Sequence, residues 1–173
     1  MILIEPTIQV RFGRALRRRA LAAFLKEATA AARLDGEVSV LLAGDARLRR
    51  LNREFRQKDQ ATDVLSFPVD PHLPISGKCG APNGDSAGDL AISVETAARQ
   101  AAEFGHPLAA ELETLVLHGL LHLAGYDHES DGGRMARREA ALRRRFGLAT
   151  GLIERADKPA GRKRAETSRS GRQ

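Results

Sequence analysis

HGLLHLAGYDH, residues 118–128, places three of the chain's five histidines at the spacing His-x3-His-x5-His. Residues four apart on a helix share a face, so His118 and His122 point at one spot. Gly125 suits the left-handed conformation that ends a helix and turns the chain back, which would bring His128 to the same spot. Three imidazoles with a fourth position left for water are typical of a catalytic rather than a structural zinc site. The stretch therefore predicts a metal centre on a helix and its following turn.

The spacing equals that of the long metzincin zinc motif, His-Glu-x-x-His-x-x-Gly-x-x-His. One position differs, because Gly119 stands where those proteases carry the glutamate that acts as general base. Without that carboxylate the peptidase machinery is incomplete, which favours a metal hydrolase of another chemistry. A metzincin-like metallopeptidase stays open as an alternative. So does the metal's identity, since three imidazoles also accept nickel, cobalt or copper.

Upstream of the histidines, strand-like and helix-like patterns alternate, and helices follow them. Apolar and β-branched runs predict four strands, over residues 2–10, 37–43, 62–69 and 88–93. Apolar residues at helical spacing, with cap and turn residues, predict five helices, over residues 14–33, 45–55, 93–104, from 107 through the histidines, and 131–146. We therefore expect an α+β fold, a small mixed sheet of about four strands covered by about five helices.

The helix predicted over residues 45–55 carries two detailed expectations. Asp45 is a residue type that caps helix N-termini. Leu48, Leu51 and Phe55 fall at helical spacing and are expected to face the core. The Pro- and Gly-rich stretch 70–87 that comes after the third strand reads as a long loop.

Composition is ordinary for a globular protein, with 42% apolar and 29% charged residues among 173. No apolar run approaches the ~20 residues that a membrane span needs. The N-terminal MILIEPTIQV lacks the basic and apolar regions of a signal peptide. The single cysteine, Cys79, rules out an internal disulfide and fits a reducing compartment. These features lead us to expect a cytoplasmic protein without membrane association.

The formal net charge of +6 is concentrated at the C-terminal end. Residues 155–173 hold seven Lys or Arg and two acidic residues, whereas basic and acidic residues nearly balance over 1–154. A segment so poor in large apolar side chains cannot form a core. We therefore expect one domain over residues 1–150 and a basic, disordered tail over 151–173. Such a tail either binds phosphates nonspecifically or serves as a solubilising extension.

Two more segments, read with the histidine motif, resemble a known family. LNREFRQKDQATDVLSFP (residues 51–68), GDLAIS (88–93) and HGLLHLAGYDH occur in the same order in the YbeY family, bacterial metal-dependent endoribonucleases of rRNA maturation. The resemblance spans about residues 35 to 147. It implies that His118, His122 and His128 bind the metal, with zinc expected, and that Arg56 matches the family's functional arginine.

The resemblance also implies a substrate and partners. Members of the family cleave single-stranded RNA, process the 3′ end of the 16S rRNA precursor and take part in ribosome quality control. Association with the small ribosomal subunit or its factors is implied as well. A ribosome-associated metal-binding factor without nuclease activity of its own remains the alternative of a different class.

The residues are compatible with phosphodiester cleavage. The guanidinium of Arg56 can donate a pair of hydrogen bonds to the nonbridging oxygens of a phosphate. Lys58 is a weaker candidate for attracting the phosphate. Asp127 would either orient a ligand histidine or face solvent. The sequence does not indicate which residue acts as the general base. With 4% aromatic residues we expect no stacking platform of the RRM or OB-fold kind, so binding should depend on phosphate contacts and on salt.

Overall fold

The computed structural model describes residues 1–69, 86–128 and 130–148. Cys79, the basic tail and all but the last two residues of the expected loop 70–87 lie outside these residues. The described part contains four strands and six helices. In chain order they are β1 (Ile2–Ile4), α1 (Pro6–Phe12), α2 (Arg18–Ala32), β2 (Glu37–Ala43), α3 (Asp45–Arg56), β3 (Val64–Phe67), β4 (Ser86–Ser93), α4 (Val94–Phe104), α5 (Leu108–Leu123) and α6 (Arg134–Phe146).

The strands form one mixed sheet in the order β1-β2-β4-β3. β1, β2 and β4 are parallel, and β3 runs antiparallel to β4 at one edge. This confirms the expected α+β fold, with six helices rather than about five. The additional helix is α1, at a place where a strand was expected.

Each face of the sheet is covered by a different helix layer. Val38, Val40, Leu42, Leu90 and Ile92 pack into the main core, together with buried residues of α1, α2, α4 and α5. The other face is smaller, and α3 covers it through a cluster built on Ala43, Leu48, Leu65 and Ala91. Where the central strands are covered on both faces, they are continuously apolar, over Val40–Ala43 in β2 and Leu90–Ile92 in β4.

Helix α5 lies at the centre of the molecule. Nearly all of its residues from Leu112 onward are buried, since it packs on the sheet and also against α2, α4 and α6. Its first residue is Leu108, with Pro107 as the preceding cap, close to the expected start. The histidines therefore sit on a helix that is held on several sides.

The strand expected over residues 2–10 is wrong beyond Ile4. The chain pairs with β2 only over Ile2–Ile4 and then forms α1, with Pro6 in its first turn. Proline lacks the N–H that a ladder needs and is favoured at a helix start. Thr7, Ile8 and Val10 suggested a strand, but only Ile8 is buried, which suits one stripe of a short helix.

Two expectations about α3 are also wrong. Gly44, not Asp45, is the cap residue, and the Asp45 carboxylate instead accepts hydrogen bonds from the hydroxyls of Ser93 and Thr96 at the start of α4. Leu48 is fully buried as expected, but Phe55 is 60% exposed, because the last turn of α3 extends past the α3-side core. The helical spacing of apolar residues shows which side of a helix they share, but it does not show how far along the helix the underlying sheet extends.

Boundaries elsewhere agree with the expectations to within about three residues, except that α2 begins at Arg18 rather than at residue 14. Ser93 caps α4 by accepting from the Thr96 N–H at 3.1 Å, and Gly105 ends that helix at φ 71°. The last helix begins at Arg134 rather than 131, and the Asp131 carboxylate accepts from the Met135 N–H at 2.7 Å. No helix in the described part of the chain has the length and apolarity to cross a membrane.

Candidate metal centre

His118 and His122 lie on the last two turns of α5 and converge as their spacing predicts. Their Nε2 atoms are 3.1 Å apart, and their ring centroids are separated by 4.8 Å. Two imidazoles on a tetrahedral zinc ion, each bonded at about 2.05 Å, have nitrogens about 3.3 Å apart. The pair is thus already close to the separation that a shared ion requires.

His128 reaches the same place through a tight turn. Gly125 has φ 82°, and the N–H groups of Gly125 and Tyr126 donate at 3.0 Å to the carbonyls of His122 and Leu121. This pairing ends the helix in a Schellman-type turn. Tyr126 packs against a buried cluster that includes Leu121, which anchors the turn. The predicted glycine turn is confirmed.

The three side chains together can hold one ion. One ligand atom from each of His118, His122 and His128 lies within 4.8 Å of the others. His118 is buried, His122 is half-buried and His128 is exposed, so the cluster opens to solvent on one side. Among the residues that the structure describes, one cluster could hold a metal ion, and all of its members are histidines. The donor set fits a borderline-soft divalent ion with an open position.

Glu139 on α6 completes the setting of His118, and sequence reasoning missed it. Its side chain is 1% exposed, and its Oε1 lies 3.1 Å from Nδ1 of His118. A carboxylate accepts, so the proton belongs on Nδ1, which leaves the Nε2 lone pair directed at the cluster. No local signal identifies Glu139, because it is one charge among many in RMARREAALRRRF.

Electrostatics keep His122 neutral. Burial lowers its pKa to about 4, and the neighbouring His118 and His128 add to this effect. The guanidinium of Arg56 lowers the pKa further, while a backbone hydrogen bond at Tyr126 opposes the shift. A metal ligand must be an unprotonated imidazole, and His122 is in that form near neutral pH.

Arg56 stands at the C-terminal end of α3 and is exposed. Its influence on the pKa of His122 places its charge within electrostatic reach of the cluster. Lys58, two residues on, is also exposed. Asp127 is exposed and accepts from the Ser130 hydroxyl at 2.6 Å, whereas the carboxylate beside His118 is Glu139.

The structure explains why a glycine occupies position 119. A Cβ there would lie 2.8 Å from Cδ2 of the buried Leu90 and 3.3 Å from the Ser66 hydroxyl. That hydroxyl donates to the Gly119 carbonyl at 3.2 Å, which holds α5 close to β3. Position 119 faces the sheet, so a metzincin-type glutamate has no space there.

Comparison with known proteins gives concordant matches. The family model described as "Endoribonuclease YbeY" matches residues 6–147. Curated proteins named Endoribonuclease YbeY from Solibacter usitatus and Koribacter versatilis are 50% and 48% identical over 81% and 82% of this chain, and 86% of each relative is covered. One from Anaeromyxobacter is 50% identical over 90% of this chain and 76% of its own length.

A solved structure is similar as well. The solution structure of TM1509 from Thermotoga maritima superposes with a TM-score of 0.52 at 27% sequence identity. The match covers 94% of this chain and 99% of the other. The fold and the order of its elements therefore have a counterpart determined by experiment.

Proposed function

The chain belongs to the YbeY family of endoribonucleases, and on this premise we propose that it cleaves single-stranded RNA using one divalent ion, zinc, at His118, His122 and His128. The observation that carries the proposal is the convergence of these three imidazoles on one solvent-open point, with Glu139 behind the first of them. Arg56 is the residue that we assign to the substrate phosphate.

The side chains at the centre have separate roles in the proposed reaction. Glu139 holds His118 in the tautomer that leaves Nε2 free, and burial keeps His122 unprotonated. When bound, the ion supplies Lewis acidity, which polarises a phosphoryl oxygen and lowers the pKa of water toward 7. Arg56 donates from its guanidinium to the nonbridging oxygens, where negative charge grows in the transition state.

The biological substrate that we propose is the precursor of 16S rRNA, cut at its 3′ end. We further propose roles in ribosome quality control, contact with the small ribosomal subunit or its factors, and a cytoplasmic location. These assignments follow from the resemblance in the three motifs at residues 51–68, 88–93 and 118–128.

Two features weigh against the alternatives. A metallopeptidase of the metzincin kind needs a glutamate after the first histidine, and Leu90 and Ser66 leave no room for one at Gly119. A purely structural ion is usually enclosed by four protein ligands, whereas His128 is exposed and the cluster comprises three of the residues that the structure describes.

The decisive experiment is cleavage of a 16S rRNA 3′-end precursor by zinc-loaded protein. An identically purified His118→Ala/His122→Ala protein is the control, because contaminating ribonucleases would appear in both preparations. We expect about one metal ion per chain and chelator-sensitive cleavage for the wild type, and neither for the double variant.

Equal cleavage in both preparations, or no cleavage by metal-loaded wild type, would contradict the nuclease assignment. The second result would favour a ribosome-associated factor that affects rRNA indirectly. Metal content that stays near one ion per chain in the double variant would show that the ligand assignment is wrong.

A further inference from the structure

Two phenylalanine rings meet next to the proposed phosphate-binding arginine. Phe55, on the last turn of α3, contacts Phe67, at the end of β3, with ring centroids 5.1 Å apart and planes at 74°. Phe55 is nevertheless 60% exposed. A single exposed ring is ordinary on a protein surface, so what matters here is where this ring lies relative to the metal centre.

The edge contact leaves part of Phe55 available. In a T-shaped pair the edge of one ring meets the face of the other, so Phe67 covers at most one face of Phe55. The exposed fraction agrees with a second face open to solvent. Phe67 thus holds Phe55 in position without enclosing it.

The rings lie on the α3 side of the sheet, while the backbone at the same end of β3 adjoins the helix that carries the histidines. Ser66, which precedes Phe67, donates to the carbonyl of Gly119, the residue after His118. A Cβ on Gly88 would meet both the Phe67 carbonyl, at 2.7 Å, and the side chain of Leu123, at 2.9 Å. Leu123 follows His122, so the end of β3 and the end of α5 are in close contact.

Arg56 follows Phe55 directly at the C-terminal end of α3. Both side chains are exposed, so the last turn of this helix presents a cation and an aromatic ring to solvent. Successive helix residues point in different directions about the helix axis, so the two side chains suit different parts of one RNA strand.

We propose that Phe55 is a stacking residue for one unpaired base of the RNA, adjacent to the phosphate that is cleaved. The inference rests on the proposed function and extends it by naming a determinant of single-strand specificity. Every base has a π-face, so this contact tolerates sequence variation, and a base inside a duplex is already stacked and cannot use it.

The local charge favours a base over a phosphate as the occupant. Asp89 is the cross-strand partner of Phe67 and is exposed. Residues paired across strands share a face, so the Asp89 carboxylate lies near the rings and repels phosphate. The attraction for phosphate comes from Arg56, and an uncharged base suits the surface between the two.

The test measures binding and selectivity in the full-length, zinc-loaded protein. The binding probe is a single-stranded 2′-O-methyl oligonucleotide that contains 2-aminopurine, whose fluorescence falls when it stacks. Phe55→Leu keeps an apolar side chain but removes the π-face, and Phe55→Trp restores one. Phe104→Leu is the matched control, because Phe104 is 45% exposed and precedes the N-terminal end of α5, opposite the histidines.

We expect Phe55→Leu to weaken binding about fivefold or more and to lose the fluorescence change. Phe55→Trp should bind at least as tightly as the wild type, and Phe104→Leu should behave like the wild type. On unmodified RNA, Phe55→Leu should raise KM for single strands and reduce the preference for single strands over duplexes. Melting temperatures verify that each variant is folded.

The possible failures are distinguishable. If the wild type does not cleave RNA, the proposed function fails before any variant is compared. If the wild type cleaves RNA and folded Phe55→Leu matches it in affinity, fluorescence change and single-strand preference, stacking at Phe55 is overturned while the nuclease assignment stands.

Discussion

At the residue scale, the orientation of His118 depends on a side chain 21 positions further along the chain. Glu139 is buried and 3.1 Å from Nδ1, so rotation of the imidazole would leave a carboxylate without that partner in the interior. The ligand is thus oriented before any ion binds. Such preorganisation lowers the cost of assembling the centre.

Replacing Glu139 should weaken metal binding. We expect Glu139→Leu to reduce zinc affinity about 10- to 100-fold, because His118 loses the acceptor that sets its tautomer. Glu139→Gln, whose amide oxygen still accepts, should retain most of the affinity. A competition titration with a chromophoric chelator measures both, with the exposed Glu103→Gln as control. Equal affinities for Glu139→Leu and wild type would remove Glu139 from the centre.

Arg56 should affect cleavage without affecting the metal. Arg56→Ala removes an exposed side chain, so zinc content and melting temperature should stay near wild type. Cleavage should fall by about 100-fold, which is typical for loss of one transition-state donor. Arg50→Ala, another exposed arginine on α3, serves as the control. Full activity of Arg56→Ala would show that Arg56 has no part in the reaction.

At the scale of the elements, α5 is positioned by two close approaches to the sheet. Gly119 lies against Leu90 and Ser66, and Leu123 lies against Gly88. Each approach depends on a glycine, which has no Cβ. Gly119 belongs to the helix α5, and Gly88 belongs to the strand β4. The glycines therefore set the distance between the histidines and the edge strand.

Gly88→Ala should cost more stability than Gly125→Ala. Gly88 has φ 130°, and a Cβ there would lie 2.7 Å from the Phe67 carbonyl, so strain and overlap add up to about 3 kcal/mol. Gly125 also has positive φ, but nothing lies within 4 Å of its Cβ position, so about 1 kcal/mol is expected. Urea unfolding measures the difference, and equal losses would contradict the close approach at Gly88.

At the scale of the whole molecule, the sheet separates two groups of functional residues. α5 and its histidines cover one face, and α3, which ends in Phe55 and Arg56, covers the other. The edge strand β3, four residues long, contacts both helices. We propose that the domain over residues 1–150 carries the activity and that the tail 151–173 contributes charge.

Deleting residues 155–173 tests the role of the tail. The segment holds seven basic and two acidic residues, so its loss should lower RNA affinity and flatten the salt dependence. Each cation that contacts a phosphate of a single strand contributes about 0.7 to the slope of log K against log salt. Binding isotherms at several salt concentrations measure this slope. An unchanged slope would show that the tail is a solubilising extension.

Much of the candidate site could be read from local patterns. The spacing of His118 and His122, and the glycine turn before His128, are geometries of a few consecutive residues, and the structure has them as predicted. The strands at β2 and β4 were equally clear, because apolar runs in a doubly buried sheet need no partner to be recognised. The end of β1 before Pro6 was not predicted, because the β-branched residues around the proline suggested that the strand continued to residue 10.

The remaining features depend on contacts between distant parts of the chain. Glu139 reaches His118 because α6 packs on α5, and Phe55 meets Phe67 because α3 ends beside the edge strand. A helix's periodicity states which residues share a face, whereas packing decides what that face meets. Local sequence thus specified the ligands of the metal centre, and tertiary packing selected the carboxylate that orients them and the aromatic surface beside them.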